Sequence, residues 1–187
     1  ALQWIFDHIH QYVGDSEQIS VTGDSAGAQL AFLVCAASAN EAYRRSYEIT
    51  SLSKPIKALG LTCPVSCLHE MAKSQDEMTR EWMQVLYGGE PEQSSLWNCS
   101  DYADILTDCK ELPSIYILTT KGDQKYYRQS LALHDLMNRK QIEHVYREWE
   151  SMENKDLGHV FNVLYPACQD SRAANQEMVY FFLNVRR

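Results

Sequence analysis

Apolar residues along the chain fall into short continuous runs and longer amphipathic stretches. From Leu2 to Val13 they recur every three or four positions, which predicts an amphipathic first helix. A second helix is predicted at 26–39, where small apolar residues, with Leu30 among them, indicate burial on most sides. The β-branched and apolar runs predict four strands, at residues 19–22, 56–61, 114–119 and 143–149.

The later part of the chain alternates between strand and helix. Helices are predicted at 76–87 and 126–139, and a last helix carries Ala174, Met178 and Phe181 on one face. Three or more such alternations predict an α/β fold, with a parallel sheet covered by helices on both faces. Residues 66–108 are more polar, and we interpret them as a small lid-like insertion in a single domain of residues 1–187.

The composition excludes several classes of protein. The chain has 187 residues, 45% of them hydrophobic, which is enough for one soluble globular domain. Its net charge of -8 has the wrong sign for binding nucleic acid or an anionic membrane. No segment is typical of a membrane span or a signal peptide, so a cytoplasmic location is predicted. The cysteines lack paired C-x-x-C spacing, which predicts reduced thiols and no zinc site: Cys35, Cys63, Cys67, Cys99, Cys109 and Cys168.

The candidate chemistry begins with the sequence G-D-S-A-G at residues 23–27, a G-x-S-x-G motif between a predicted strand and a predicted helix. That context is typical of a nucleophile elbow, a strained turn that presents its serine at the edge of the sheet. Ser25 is therefore the candidate nucleophile, and the Ala26 N–H is a candidate donor to an oxyanion. The two flanking glycines are expected to prevent collisions. The alternative is an ordinary turn in which Ser25 or Asp24 caps the helix.

A serine hydroxyl needs a general base and an orienting acid. Asp123 follows the third predicted strand and His159 follows the fourth, which gives the order serine, acid, histidine found in α/β-hydrolases. Asp123 could instead only begin a turn, and Asp156 is the rival acid. The remaining histidines lie on predicted helices, within a strand or in the insertion, so they are weaker candidates: His8, His10, His69, His134 and His144.

Four segments carry a family likeness: G-D-S-A-G at 23–27, A-L-G-L at 58–61 followed by Pro64-Val65, L-P-S-I at 112–115 leading to Gly122-Asp123, and G-H-V-F at 158–161. With them the chain resembles the hormone-sensitive-lipase-like esterases, the bacterial acetyl esterase group of the α/β-hydrolase fold. The resemblance covers almost the whole chain and is weakest over 66–108. It implies that Ser25 is the nucleophile, Asp123 the acid and His159 the base, with no cofactor and no metal.

The resemblance also implies a lid and an incomplete domain. In those esterases the segment matching 66–108 covers the serine, so Trp82, Leu86 and Trp97 are candidates for the substrate pocket or for the lid's own core. The family's His-Gly-Gly-Gly loop and the strands before the elbow have no counterpart in this sequence. We therefore expect a C-terminal part of an esterase, with an open sheet edge, a tendency to form homo-oligomers and weak activity by itself.

The leading hypothesis is a serine hydrolase that cleaves small, short-acyl carboxylic esters through an acyl-enzyme. A serine peptidase of the same fold is an alternative, although Ala26 stands where such peptidases usually carry a bulky aromatic residue. A ligand-binding relative without catalysis is a second alternative. It is less favoured because all three candidate residues are present.

Overall fold

The chain forms a four-stranded parallel sheet in a computed structural model that describes residues 1–108, 111–153 and 155–185. The strands lie side by side in chain order, with Ser20 opposite Ala58 and Ala58 opposite Ser114. The predicted α/β fold with a parallel sheet is confirmed. The strands are β1 Ser20–Asp24, β2 Ala58–Thr62, β3 Ser114–Thr119 and β4 His144–Glu148.

Helices connect the strands, and the insertion between β2 and β3 is also helical. Short 3₁₀ turns occur at Ile9–Tyr12, Ser16–Gln18, Pro91–Gln93 and Trp97–Cys99. Among the described residues the α-helices are α1 Leu2–His8, α2 Ala26–Ala39, α3 Glu41–Ser46, α4 Leu68–Ala72, α5 Glu77–Tyr87, α6 Tyr102–Asp108, α7 Tyr127–Arg139, α8 Phe161–Leu164 and α9 Gln169–Asn184.

The predicted bounds of α2 and β3 agree with the structure, whereas the first helix is shorter than predicted. It ends at His8 and continues as a 3₁₀ turn over Ile9–Tyr12, which in turn ends where Val13 adopts a left-handed backbone conformation. The prediction that α2 is buried on most sides is correct for most of its length, since Ala28, Ala31 and Phe32 of its first turns are already buried. Leu30 is an exception and is 63% exposed.

Hydrophobic clusters cover both faces of the sheet. All five residues of β2 are buried, as expected for an inner parallel strand. On one face, Phe32 of α2 and Leu133 of α7 pack in the same cluster as Ile117 of β3. On the other face, Met178 of α9 packs against β3, and a side chain at Gly60 would collide with it. Helices therefore pack on both faces of the sheet.

The insertion is anchored to the helix that follows Ser25. The ring of Tyr102 stacks on Phe32 of α2 at a centroid distance of 3.8 Å, and its hydroxyl donates to the Ala28 carbonyl. The Gln29 side-chain amide also donates to the Ser100 carbonyl. The insertion is therefore in direct contact with the first turns of α2.

Two further predictions from composition concern cysteines and membranes. Cys63, Cys67 and Cys99 are unbridged thiols in buried or half-buried positions, while Cys168 is exposed. Cys109 lies outside the described residues. In the part of the chain that the structure describes, no helix combines the length and apolarity that a membrane crossing requires.

Candidate active site

Ser25 occupies a strained turn between β1 and α2. Its backbone angles are φ 52° and ψ −119°, a conformation that a residue with a side chain rarely adopts. The turn is held from both sides, because the Ser25 N–H donates to the Thr62 carbonyl at 2.9 Å and the Ser25 carbonyl accepts from Ala28 and Val65. The neighbouring strand and the first turn of the helix therefore fix the direction of the serine side chain.

The two glycines of the motif are not equivalent. A Cβ atom at Gly23 would lie 2.2 Å from the Gly27 carbonyl oxygen, which is backbone and cannot move aside. A Cβ atom at Gly27 would meet only an Asp24 oxygen, at 3.9 Å. The prediction that both glycines prevent collisions is therefore correct for Gly23 and wrong for Gly27, because the helix backbone crosses only over Gly23.

This asymmetry predicts different costs for two alanine substitutions. We expect Gly23→Ala to lower the free energy of unfolding by about 3 kcal/mol, since the helix must shift to make room. Gly27→Ala, within the first turn of α2, should change it by less than about 1 kcal/mol. Urea unfolding followed by circular dichroism measures both, and equal stabilities for the two variants would contradict the asymmetry.

The structure brings Ser25, His159 and Asp123 into one chain of hydrogen bonds. His159 Nε2 lies 2.9 Å from Ser25 Oγ, and His159 Nδ1 lies 2.7 Å from Asp123 Oδ2. Since a carboxylate only accepts, Nδ1 carries the proton and Nε2 is left to accept from the serine hydroxyl. Asp123 is fully buried, while the His159 side chain is 30% exposed. The imidazole can therefore receive a proton from Ser25 while it stays fixed on its other side.

Asp123 is positioned by the turn after β3. Its N–H donates to the Thr120 carbonyl at 3.1 Å, and its Oδ1 accepts from the Tyr126 N–H at 3.0 Å. The Tyr126 ring lies 4.9 Å from the His159 ring, centroid to centroid. The N–H of Tyr126, just before α7, thus holds the carboxylate oxygen that does not bond to His159. The ring of Tyr126 lies beside the imidazole and limits how far it can tilt.

The rival acid Asp156 has another position. Its carboxylate lies next to Gly122, where a Cβ atom would be 2.3 Å from the Asp156 Oδ1 and 2.2 Å from the Leu157 carbonyl. Asp156 is exposed and makes no hydrogen bond to His159 among the described residues. The close approach at Gly122 instead packs the loop that carries His159 against the turn that carries Asp123.

The loop before His159 is anchored by Asp170 at the start of α9. This buried carboxylate accepts from the Trp149 indole, from the Ser151 hydroxyl and from the Met152 N–H, at 2.9 to 3.1 Å. Burial by itself would raise the pKa of Asp170, but the three hydrogen bonds outweigh that effect and leave its pKa lowered. The ionised carboxylate therefore fixes the path of the chain from β4 toward His159.

The other histidines are placed away from this chain of hydrogen bonds. His134 and His144 bond to each other at 2.7 Å, and burial, with His144 as neighbour, lowers the pKa of His134. His69 stacks on Trp97 inside the insertion. His8 stacks on Trp4 of the first helix, and His10 lies in the 3₁₀ turn that follows it.

The predicted pocket residues divide into two groups. Trp82 is half exposed, and Lys125 Nζ lies over its ring at 5.1 Å. The same Nζ lies 5.3 Å from the ring of Tyr126, which is the neighbour of His159. Leu86 is 56% exposed on the same helix. Trp97 packs on His69 and against Tyr87, within the insertion's own core. A pocket lined by these three residues stays a prediction.

Ala26 is the first residue of α2, so its N–H precedes the hydrogen-bonded ladder of the helix. Aligned N–H groups at such a helix start favour a negative charge beside them. Ala26 is exposed, so this position is open to a ligand next to Ser25. The placement fits the donor predicted from the motif.

Cys63 is a site residue that the motif search missed. Its sulfur, an Asp123 oxygen and a His159 ring nitrogen all lie within 4.8 Å of one another. A shared metal ion does not fit this trio, because Asp123 and His159 are only 2.7 Å apart and tetrahedral ligands of zinc stand about 3.3 Å apart. One signal in the sequence could have indicated Cys63. It directly follows β2, just as Asp123 and His159 follow β3 and β4.

Comparisons with known proteins agree with this fold. A family model described as alpha/beta hydrolase fold matches residues 1–162. Esterase B from Lactobacillus Rhamnosis superposes with a TM-score of 0.87 at 23% identity, over 98% of this chain and 58% of that one. Carboxyl esterase 2 from the mycorrhizal fungus Tuber melanosporum gives a TM-score of 0.65 at 15% identity, over 100% and 60%.

A further structure of the Lactobacillus Rhamnosis esterase B is described as inhibited by a tributyrin phosphonate, and it gives a TM-score of 0.88 at 24% identity, over 98% of this chain and 57% of that one. No curated protein matched the chain in sequence. The chain thus spans less than two thirds of the length of the solved structures to which it is similar.

Proposed function

Because the chain belongs to the α/β-hydrolase family, we propose that it is part of a serine esterase that hydrolyses small carboxylic esters. The observation that carries the proposal is the hydrogen-bonded chain from Ser25 through His159 to the buried Asp123. A strained serine with a base and an acid in line is the arrangement that activates a hydroxyl for acyl transfer. The esterase names of the solved relatives also support it.

In the proposed mechanism, Ser25 Oγ attacks the ester carbonyl carbon while its proton moves to His159 Nε2. The Ala26 N–H donates to the oxygen that becomes negative. The carbon–oxygen bond to the alcohol then breaks, and the alcohol leaves with the proton from His159. His159 next takes a proton from water, and the hydroxide attacks the acyl carbon. The bond from that carbon to Ser25 Oγ then breaks as His159 returns the proton to Oγ, which releases the acid and restores the free serine.

The role of Asp123 in this mechanism is to hold the imidazole. Its carboxylate fixes the proton on Nδ1, so that Nε2 faces the serine, and it stabilises the positive charge on the imidazolium. Tyr126 supports this arrangement, because its N–H occupies the second carboxylate oxygen.

For the substrate, we propose a short acyl group. One solved structure of esterase B is described with a C4-C4 tributyrin phosphonate as inhibitor, and in this chain the half-exposed Trp82 stands near Lys125. Ester hydrolysis by a serine, a base and an acid requires no phosphate, nucleotide or metal.

The proposal is tested with p-nitrophenyl esters of two-, four- and ten-carbon acids and with a peptide p-nitroanilide. We expect hydrolysis of the acetyl and butyryl esters, with kcat/KM at least about tenfold above that of the decanoyl ester. The anilide should not be cleaved at a comparable rate. Faster cleavage of the anilide would favour a peptidase, and absence of all hydrolysis would contradict the esterase.

A further inference from the structure

Asp123 has more hydrogen-bonding capacity than the donors already described fill. A carboxylate accepts about four hydrogen bonds, and burying one in ionised form is costly unless they are supplied. Asp123 is fully buried, and among the described residues its oxygens accept from the Tyr126 N–H and from His159. A third donor close to this carboxylate would therefore stabilise it and restrict its rotation.

The thiol of Cys63 has the position that such a donor requires. Cys63 is fully buried, and its sulfur lies in the group of three atoms, with an Asp123 oxygen and a His159 nitrogen, that are within 4.8 Å of one another. Burial raises the pKa of this thiol to about 12, so the sulfur keeps its proton at any physiological pH. A protonated thiol can donate, whereas a thiolate would repel the carboxylate.

The backbone around Cys63 ties it to two parts of the site. Its residue has a left-handed conformation, with φ 44°, and its N–H donates to the Leu118 carbonyl of β3 at 2.7 Å. The residue before it, Thr62, accepts from the Ser25 N–H. Cys63 therefore lies between the turn of the nucleophile and the strand that leads to Asp123.

The groups around the thiol act on its pKa in both directions. Burial raises the pKa most and the Asp123 carboxylate raises it further, whereas the Val160 backbone lowers it. A carboxylate beside the sulfur thus favours the protonated thiol. The Thr119 hydroxyl is buried and has no hydrogen-bond partner among the described residues.

We propose that Cys63 is a positioning residue, whose thiol donates to the Asp123 carboxylate and holds it in line with His159. The effect of Cys63 on catalysis rests on the proposed function, whereas the proposed hydrogen bond itself requires no substrate. The thiol does not react in this role, because it is fully buried. It acts only through Asp123.

The test uses Cys63→Ala, which removes the donor, and Cys63→Ser, which keeps a hydroxyl donor of smaller size. Both residues tolerate the left-handed backbone at this position as well as cysteine does. The first readout is the proton NMR resonance of the Nδ1–H of His159, assigned by its loss in His159→Gln. Cys35→Ala, a buried cysteine in the core on α2, is the matched control.

We expect the resonance to move to higher field in Cys63→Ala, because a carboxylate that rotates away weakens the bond to Nδ1–H. Cys63→Ser should return the resonance toward its wild-type position, and Cys35→Ala should leave it unchanged. An unchanged resonance or a shift to lower field in Cys63→Ala, or equal shifts in the alanine and serine variants, would overturn the proposal. So would the absence of the resonance in the wild type.

The second readout is turnover of p-nitrophenyl butyrate. We expect kcat to fall about two- to tenfold in Cys63→Ala, which corresponds to one hydrogen bond, with KM unchanged and with recovery in Cys63→Ser. An equal loss of kcat in Cys63→Ser would also contradict the donor role. If the wild type hydrolyses no ester while the resonance responds as expected, the proposed function fails and the role of Cys63 stands.

Discussion

Replacing Ser25 with alanine should lower kcat for p-nitrophenyl butyrate by at least about 10³-fold, because the substitution removes the attacking oxygen. The fold should not change. The hydroxyl bonds to His159 at the surface of the cleft, and alanine fits the strained backbone no worse than serine does. Kinetics in parallel with urea unfolding separates the loss of chemistry from a loss of structure.

A second serine provides the control for this substitution. Ser46 is exposed on α3, and among the described residues its hydroxyl bonds only within its own helix, to the Ala42 carbonyl. Ser46→Ala should keep wild-type turnover. Turnover in Ser25→Ala that stays within tenfold of the wild type, in a folded protein, would rule out Ser25 as the nucleophile.

Replacing Asp123 with asparagine should lower kcat by about 10²- to 10⁴-fold. An amide has nearly the same shape, but its NH₂ group can face Nδ1 and force the proton onto Nε2. His159 could then no longer accept from Ser25. The uncharged amide would also fail to stabilise the imidazolium. The measurement is kcat for the same butyrate ester at pH 8, with circular dichroism to confirm the fold.

Asp156→Asn is the matched control, since it makes the same chemical change three residues before His159. Asp156 is exposed and packs beside Gly122, so its loss should change kcat less than about threefold. If Asp156→Asn lost more activity than Asp123→Asn, the acid would have been assigned to the wrong residue.

The main elements of the fold could be predicted because their patterns are local. The small apolar residues of α2 and the continuous apolar run of β3 specify helix and strand without help from distant contacts. Ser25, Asp123 and His159 could be chosen because a parallel sheet places the residues after its strands at one edge. That rule needs only the order of elements along the chain.

Other features depend on contacts that the linear pattern does not contain. The collision at Gly23, and its absence at Gly27, depends on where the helix backbone crosses the strand end. Cys63 looks like any apolar residue after a strand, and its closeness to Asp123 arises from the neighbouring position of β2 and β3. The apolar character of Leu30 predicted burial, but the residue is exposed, because exposure depends on which elements pack over α2.

The central claim is that Ser25 is a nucleophile activated by His159, and covalent labelling tests it most directly. The purified protein is treated with a butyl p-nitrophenyl phosphonate, which traps an activated serine, and the modified peptide is identified by mass spectrometry. We expect one adduct, on the peptide that contains Ser25, and none in Ser25→Ala or His159→Gln. An adduct on another residue, or an unlabelled Ser25 in a protein that hydrolyses butyrate esters, would contradict the account.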